Sequence, residues 1–378
     1  MSKSSSESRR APLASTGPSE VAEGGVFSYA GLHTESEDFL HLDVLRFIAA
    51  FGVVFIHFRF DFGWSARWFD GLQSMVDLFF IISGIDICHV YGRTRWGAVN
   101  YYNFLVARVA RLVPLHLLTM LAYALVPITA AIIGVSLFSP ERYDWSCFAP
   151  NLLLLQSFSI CDHLTFNIVN WSISAELAMY VLLPLTLGVI RQSAFRAFFL
   201  SGAAVLLLFI FVDNWWERTA DWGVLRAIPA FVFGVGLKLS EKSLAKVPVP
   251  ELAFWPLVAM LVAGMMVVPY HAAMLMLTYG FAALVFICDA RRQAGFFTRR
   301  LAPLGQLTYS IYMIHPLVIT VFVKFLGLKV LNLTGDLLFV FLAACIFSVL
   351  VFSYISYIYF EGPSRRWVRS RLSLKRLN

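Results

Sequence analysis

Apolar residues in this chain fall in long runs separated by short polar, often basic, segments. Ten runs approach the roughly 20 residues that a helix needs to cross a bilayer core of about 30 Å. They lie at about 43–60, 72–91, 113–136, 171–190, 195–212, 221–239, 251–269, 271–288, 306–329 and 337–360. The pattern predicts an all-α fold, a polytopic membrane helical bundle of about ten transmembrane helices. A further apolar stretch, CFAPNLLLLQSFSI from Cys147 to Ile160, is short and contains a proline. It reads as an interfacial or re-entrant segment. The start, MSKSSSESRRAPLASTGPSE, is rich in Ser, Pro and charge, so residues 1–39 are expected to be a disordered cytoplasmic tail. The membrane domain then covers 40–364 and a basic cytoplasmic tail 365–378, with no soluble domain expected at either end.

Composition excludes an ordinary soluble domain: 59% of residues are hydrophobic, 14% are charged, and mean hydropathy is +0.73. The net charge of +7 would fit a nucleic-acid partner, but its distribution argues otherwise. With both termini cytoplasmic, 22 of the 30 Lys and Arg fall in the tails and cytoplasmic segments. The excess is therefore an orientation signal in a lipid bilayer, and no nucleic acid is expected. Five cysteines show no metal-ligand spacing, and no metal is expected. Cys147 and Cys161 fall in the long loop assigned to the outside, where a disulfide is permitted, although ordinary free thiols are the commoner case. Most tryptophans near the outer boundary, Trp64, Trp68, Trp145, Trp171, Trp215, Trp216 and Trp222, read as an aromatic belt.

The first run, DVLRFIAAFGVVFIHFRF, carries charge where lipid disfavours it. Asp43 and Arg46 share a helix face and can form a salt bridge. Eleven residues separate Arg46 from His57, three turns plus about 20°, so the two also share a face, roughly 16 Å apart along the axis. A lone histidine in an apolar helix is more often a packing residue than a catalyst. The remaining motifs shift that balance.

These are VDLFFIISGIDI (76–87), NFLVARVARLVPLH (103–116), NWSISAELAMYVLLPL (170–185), RAIPAFVFGVGL (226–237) and LGQLTYSIYMIHPLVI (304–319). In this order, behind LDVLR and its histidine, they resemble the integral-membrane acyltransferase family 3, which includes bacterial polysaccharide and glycan O-acetyltransferases. The resemblance spans about residues 40–365. It implies an enzyme of the bacterial inner membrane that moves an acyl group, most often acetyl, from acyl-CoA on the cytoplasmic side to a hydroxyl of a saccharide or glycolipid at the outer side. The implied co-substrate is acetyl-CoA, with no permanently bound cofactor.

By the same resemblance His57 is the catalytic candidate, either as general base or as acyl carrier. Arg108 and Arg111, one turn apart, fit the donor's phosphates together with Arg46. Glu176 orients or charge-balances His57, binds acceptor hydroxyls, or completes a helix capping box with Ser172 or a neighbouring polar residue. Family members often continue SxEEQFY there, whereas this chain reads SAELAMY. Ser83 has no nucleophile elbow around it, and Ser83–Gly84 reads as a close-packing site. Asp86, unusual at its position, is a candidate local partner of His89. Arg226 reads as a substrate contact or a salt bridge. Tyr309, Tyr312 and His315, placed in the cytoplasmic half of the ninth run, read as tunnel lining or structural groups. A transporter or flippase of a lipid-linked glycan is the rival class, although the matched broken helices common in transporters are not evident.

Overall fold

A computed structural model of the chain describes residues 30–34, 38–58, 69–268 and 272–374. Every apolar run coincides with a helix within these limits. Seven helices are long and apolar enough to cross a membrane: Leu40–Phe58, Asp70–Tyr91, Ala98–Ile132, Ala194–Phe211, Ala272–Ala290, Phe296–Val330 and Gly335–Leu372. The run at 171–190 is a broken span, Asn170–Val181 and Leu183–Ile190, bent by 57°. A proline at the start of the second piece, Pro184, cannot donate to the ladder and marks the break. The runs at 221–239 and 251–269 form shorter helices, Val224–Leu239 and Glu251–Val267. Length and composition thus qualify seven crossings among the described residues, or eight with the bent pair, where the sequence pattern had counted about ten.

In lipid, helix ends must find partners inside the protein. The first helix does so through Asp289 on a distant helix. Its carboxylate accepts from the backbone N–H groups of His41 and Leu42, each at 2.9 Å, and stands 2.7 Å from His41 Nδ1. This anchor fixes the height of everything the helix carries. The second helix and Val224–Leu239 approach at Gly84 and Gly234. A Cβ on Gly84 would lie 2.1 Å from the Phe231 carbonyl, and one on Gly234 would lie 2.0 Å from that of Ile81. The small-residue reading of Ser83–Gly84 therefore describes a backbone-to-backbone contact.

The loop between the third helix and Asn170 folds into the bundle. Asn151, Gln156, Ser157, Thr165 and Asn167 are all buried. Cys147 and Cys161 are joined by a disulfide, where free thiols were the commoner expectation. Trp171 and Trp215 are buried and so do not belong to a lipid-facing belt, whereas Trp145 and Trp222 are about half exposed. Trp64 and Trp68 lie outside the described residues. So does most of the expected N-terminal tail. Its described part packs on the bundle: Leu32 is buried, and Tyr354 donates to the Ala30 carbonyl at 2.6 Å. The basic C-terminal segment is helical over Gly362–Leu372.

Candidate active site

Between the first, second and third helices and Asn170–Val181 lies a narrow cavity of about 80 Å³. Three guanidinium-bearing residues line it: Arg46, Arg108 and Arg111. Asp86, Ser83, Glu176, Tyr180, Tyr309 and Tyr312 complete its polar wall. Arg46 is held from both sides, by Asp43 at 3.4 Å and by a close bond to Asp86. The local pairing of Asp86 with His89 is therefore replaced, and His89 stands 3.5 Å from Asp38 instead. One turn of helix separates 86 from 89, but the guanidinium across the cavity is the stronger partner for a carboxylate. Arg108 lies over the rings of Tyr91, Phe104 and Tyr180 at 5.6–5.9 Å. Its Nε is buried and has no hydrogen-bond partner among the described residues. A buried donor without a partner fits a site made to receive an anion.

Glu176 belongs to this cavity. Its carboxylate accepts from Ser83 Oγ at 2.7 Å and from the Tyr180 hydroxyl, and the two hydroxyls are 2.8 Å apart. These bonds are neither to His57 nor to the helix start. Asn170–Val181 has no side-chain cap, and Ser172 bonds instead to the Val169 carbonyl and, at 2.6 Å, to the Tyr312 hydroxyl. The carboxylate is on the arginine side because the buried loop delivers the helix start inside the bundle.

His57 meets a different residue. His315 Nε2 lies 3.3 Å from His57 Nδ1, so the two rings share one level of the bundle, whereas the sequence had put His315 in the cytoplasmic half of its run. The helix from Phe296 is 35 residues long, so position 315 lies near its middle. Each ring also bonds one turn back along its own helix, His57 Nδ1 to the Val53 carbonyl at 2.9 Å and His315 Nδ1 to the Ile311 carbonyl at 3.0 Å. Carbonyl oxygens only accept, so both Nδ1 atoms carry hydrogen in the neutral rings. His315 Nε2 then offers its lone pair to His57 Nδ1–H, and His57 Nε2 keeps the free lone pair of a base. His315 is fully buried, and His57 is partly so.

Tyr312 connects the two halves. It lines the arginine cavity, and its ring centre is 6.1 Å from that of His315 and 5.9 Å from that of Phe79. Tyr309 donates to the Leu112 carbonyl, tying the same helix to the third. Pro316, next to His315, lacks an N–H, and from Ile319 to Val330 the helix widens to π geometry.

Arg226 stands apart from both groups. It is 1% exposed and makes two bonds to Asp77, at 2.8 and 3.3 Å, with its guanidinium 4.9 Å from the Trp171 ring. Of its two sequence readings, the salt bridge is the one with a partner in place. The sequence reading missed Asp77, Asp289 and Tyr180. Asp77 lies inside an apolar run and Asp289 one residue past the end of another, a signal that was readable without naming their partners.

A family model described as an acyltransferase domain matches residues 39–357. Acyltransferase MdmB of Streptomyces mycarofaciens is 29% identical over 160 residues, which is 39% of this chain and 37% of that protein. Protein 2 in picA locus of Rhizobium radiobacter is 29% identical over 154 residues, 38% of this chain and 79% of that protein. The matched part thus spans little more than a third of the length of the Streptomyces relative. No solved structure matches the chain. The family match runs from the start of the first helix into the last long one and takes in the arginine cavity and the histidine pair: this membrane protein belongs to the acyltransferase domain family.

Proposed function

We propose that the protein is a membrane O-acyltransferase that moves an acyl group, acetyl in the simplest case, from acyl-CoA at the cytoplasmic face to a hydroxyl of a saccharide or glycoconjugate at the outer face. The observation that carries this reading is the continuity from the arginine cavity, through Tyr312, to the His57–His315 pair. Arg108 and Arg111 bind the donor's phosphates, while Arg46, flanked by Asp43 and Asp86, sets the charge at the mouth. The pantetheine arm follows the cavity, bringing the thioester toward His57 across the roughly 16 Å of helix between Arg46 and His57.

His57 Nε2 takes the proton of the acceptor hydroxyl as its oxygen attacks the thioester carbonyl. The C–O bond forms, the tetrahedral oxyanion collapses, the C–S bond breaks, and the leaving thiolate recovers the proton from the imidazolium. His315 accepts from His57 Nδ1–H, so it holds the ring and supports the positive charge that develops on it. The test compares O-acyl groups on surface and secreted glycans, by NMR and mass spectrometry, in cells carrying the native gene, a deletion or His57→Ala. Loss of O-acylation with the glycan still exported is the expected result. A folded His57→Ala protein that leaves every O-acyl group in place refutes the assignment, and loss of the whole glycan from the surface points to a flippase.

A further inference from the structure

A second cavity, of about 270 Å³, opens between the end of the third helix and the π-helical stretch Ile319–Val330. Its wall is apolar, and three of its residues, Leu125, Ile133 and Val321, are 39–52% exposed, facing where lipid would be. Three cations line it: Arg142, Lys324 and Lys329. No carboxylate does. The charge pattern makes this unusual. Of the eight Lys and Arg that fall outside the tails and cytoplasmic segments, three converge here. Lys329 is steadied by Ser136 Oγ at 2.7 Å and by the Phe138 ring at 5.5 Å. Lys324 has no hydrogen-bond or ion-pair partner among the described residues.

The cavity also adjoins the histidine pair. Thr320, five residues beyond His315 on the same helix, lines it and accepts from Arg142 at 3.3 Å. At roughly 1.5 Å per residue, Lys324 lies about 13 Å beyond His315 along the helix. That spacing leaves room for a polar unit between a head charge at Lys324 and a hydroxyl at His57. A neutral saccharide would call for carboxylates and amides to accept from its hydroxyls, whereas cations without carboxylates, beside an open apolar wall, select an anion with a tail.

We propose that this cavity receives the acyl acceptor, and that the acceptor is a phosphate-bearing amphiphile. Its phosphate lies between Lys324, Lys329 and Arg142, its hydrocarbon tail runs over Leu125, Ile133 and Val321, and its hydroxyl-bearing part extends inward to His57. The assignment of the acceptor role rests on the acyltransferase reading, but the site itself does not.

The test uses the full chain in a neutral maltoside detergent and radiolabelled dodecyl phosphate, with dodecanol and inorganic phosphate as competitors. Dodecyl phosphate is expected to bind saturably. Lys324→Gln and Lys324→Glu weaken it by at least tenfold in that order, and neither competitor at equal concentration displaces it. Lys246→Gln, a change in a cytoplasmic loop, serves as the control and binds like the parent. Equal binding by all four proteins, or displacement by inorganic phosphate alone, overturns the site. A second reading follows carbethoxylation of His57 by mass spectrometry: bound dodecyl phosphate slows it at least severalfold in the parent and not in Lys324→Glu. Binding without protection of His57 marks an annular lipid and overturns the acceptor role. No acyl donor is present, so failure here leaves the acyltransferase reading standing, and failure of that reading leaves this result standing.

Discussion

Arg226→Met is the most informative single change, because Arg226 was a candidate for substrate contact and has a buried partner. The side chain is 1% exposed, Asp77 is fully buried, and their bonds measure 2.8 and 3.3 Å. Each charge-assisted bond contributes about 1.5–3 kcal/mol, and a desolvated guanidinium over an indole adds up to about 2 kcal/mol. These contributions do not add, since the dominant cost of removing one partner is the buried carboxylate left without its counter-charge, about 3–5 kcal/mol. At about 2 °C per kcal/mol, the midpoint of thermal unfolding falls on the order of 6–10 °C. The assay is intrinsic tryptophan fluorescence of the detergent-purified protein during heating. Asp77→Leu combined with Arg226→Met removes both charges and recovers most of the loss, because an apolar pair of similar volume replaces a buried ion pair at little cost. If Arg226→Met unfolds within a degree of the parent, or the double variant falls by the sum of the singles, the structural account of Arg226 is wrong. A stable double variant that transfers acyl groups with an unchanged KM for acceptor removes Arg226 from the substrate path.

Arg108→Gln with Arg111→Gln raises the KM for acyl-CoA by at least tenfold while leaving that for a short acyl-cysteamine thioester unchanged; an equal rise for both donors refutes phosphate binding. His57→Ala lowers transfer by about 10²–10⁴-fold, and His315→Gln by about 10–100-fold with a displaced pH profile of kcat/KM, read in purified membranes. A His315→Gln profile superimposable on the parent's makes His315 a packing residue. Reducing the Cys147–Cys161 disulfide, which closes a loop of 14 residues, costs about 3 kcal/mol and exposes the loop to added protease. Equal proteolysis with and without reductant contradicts a stabilising role.

The helices were legible because lipid imposes one strong rule: a spanning backbone must satisfy itself, so length and apolarity alone mark the element. That rule says little about helices inside the bundle, and Val224–Leu239 is 16 residues long because it packs on protein through Gly234 and Arg226. Arg46, Arg108 and Arg111 were readable as a set from their spacing and family motifs. Depth was not readable. His315 was assigned to a level counted from the end of its apolar run, but a 35-residue helix shifts that count. Ion pairs formed between helices, such as Arg46 with Asp86 and Arg226 with Asp77, join positions 40 and 149 residues apart. Local spacing carries no trace of them, and it pointed Asp86 to His89 instead.

An acyltransferase set in a bilayer must not become a hole in it. Tyr312 is 5% exposed, is tethered through its hydroxyl to Ser172, and stands edge-on between Phe79 and His315. The buried ring thus stands where an acyl arm reaching from the arginine cavity to the histidine pair, as proposed, would have to pass it. On the proposed path that ring would separate the two ends of the acyl route, and its turning would set how fast an acyl arm passes.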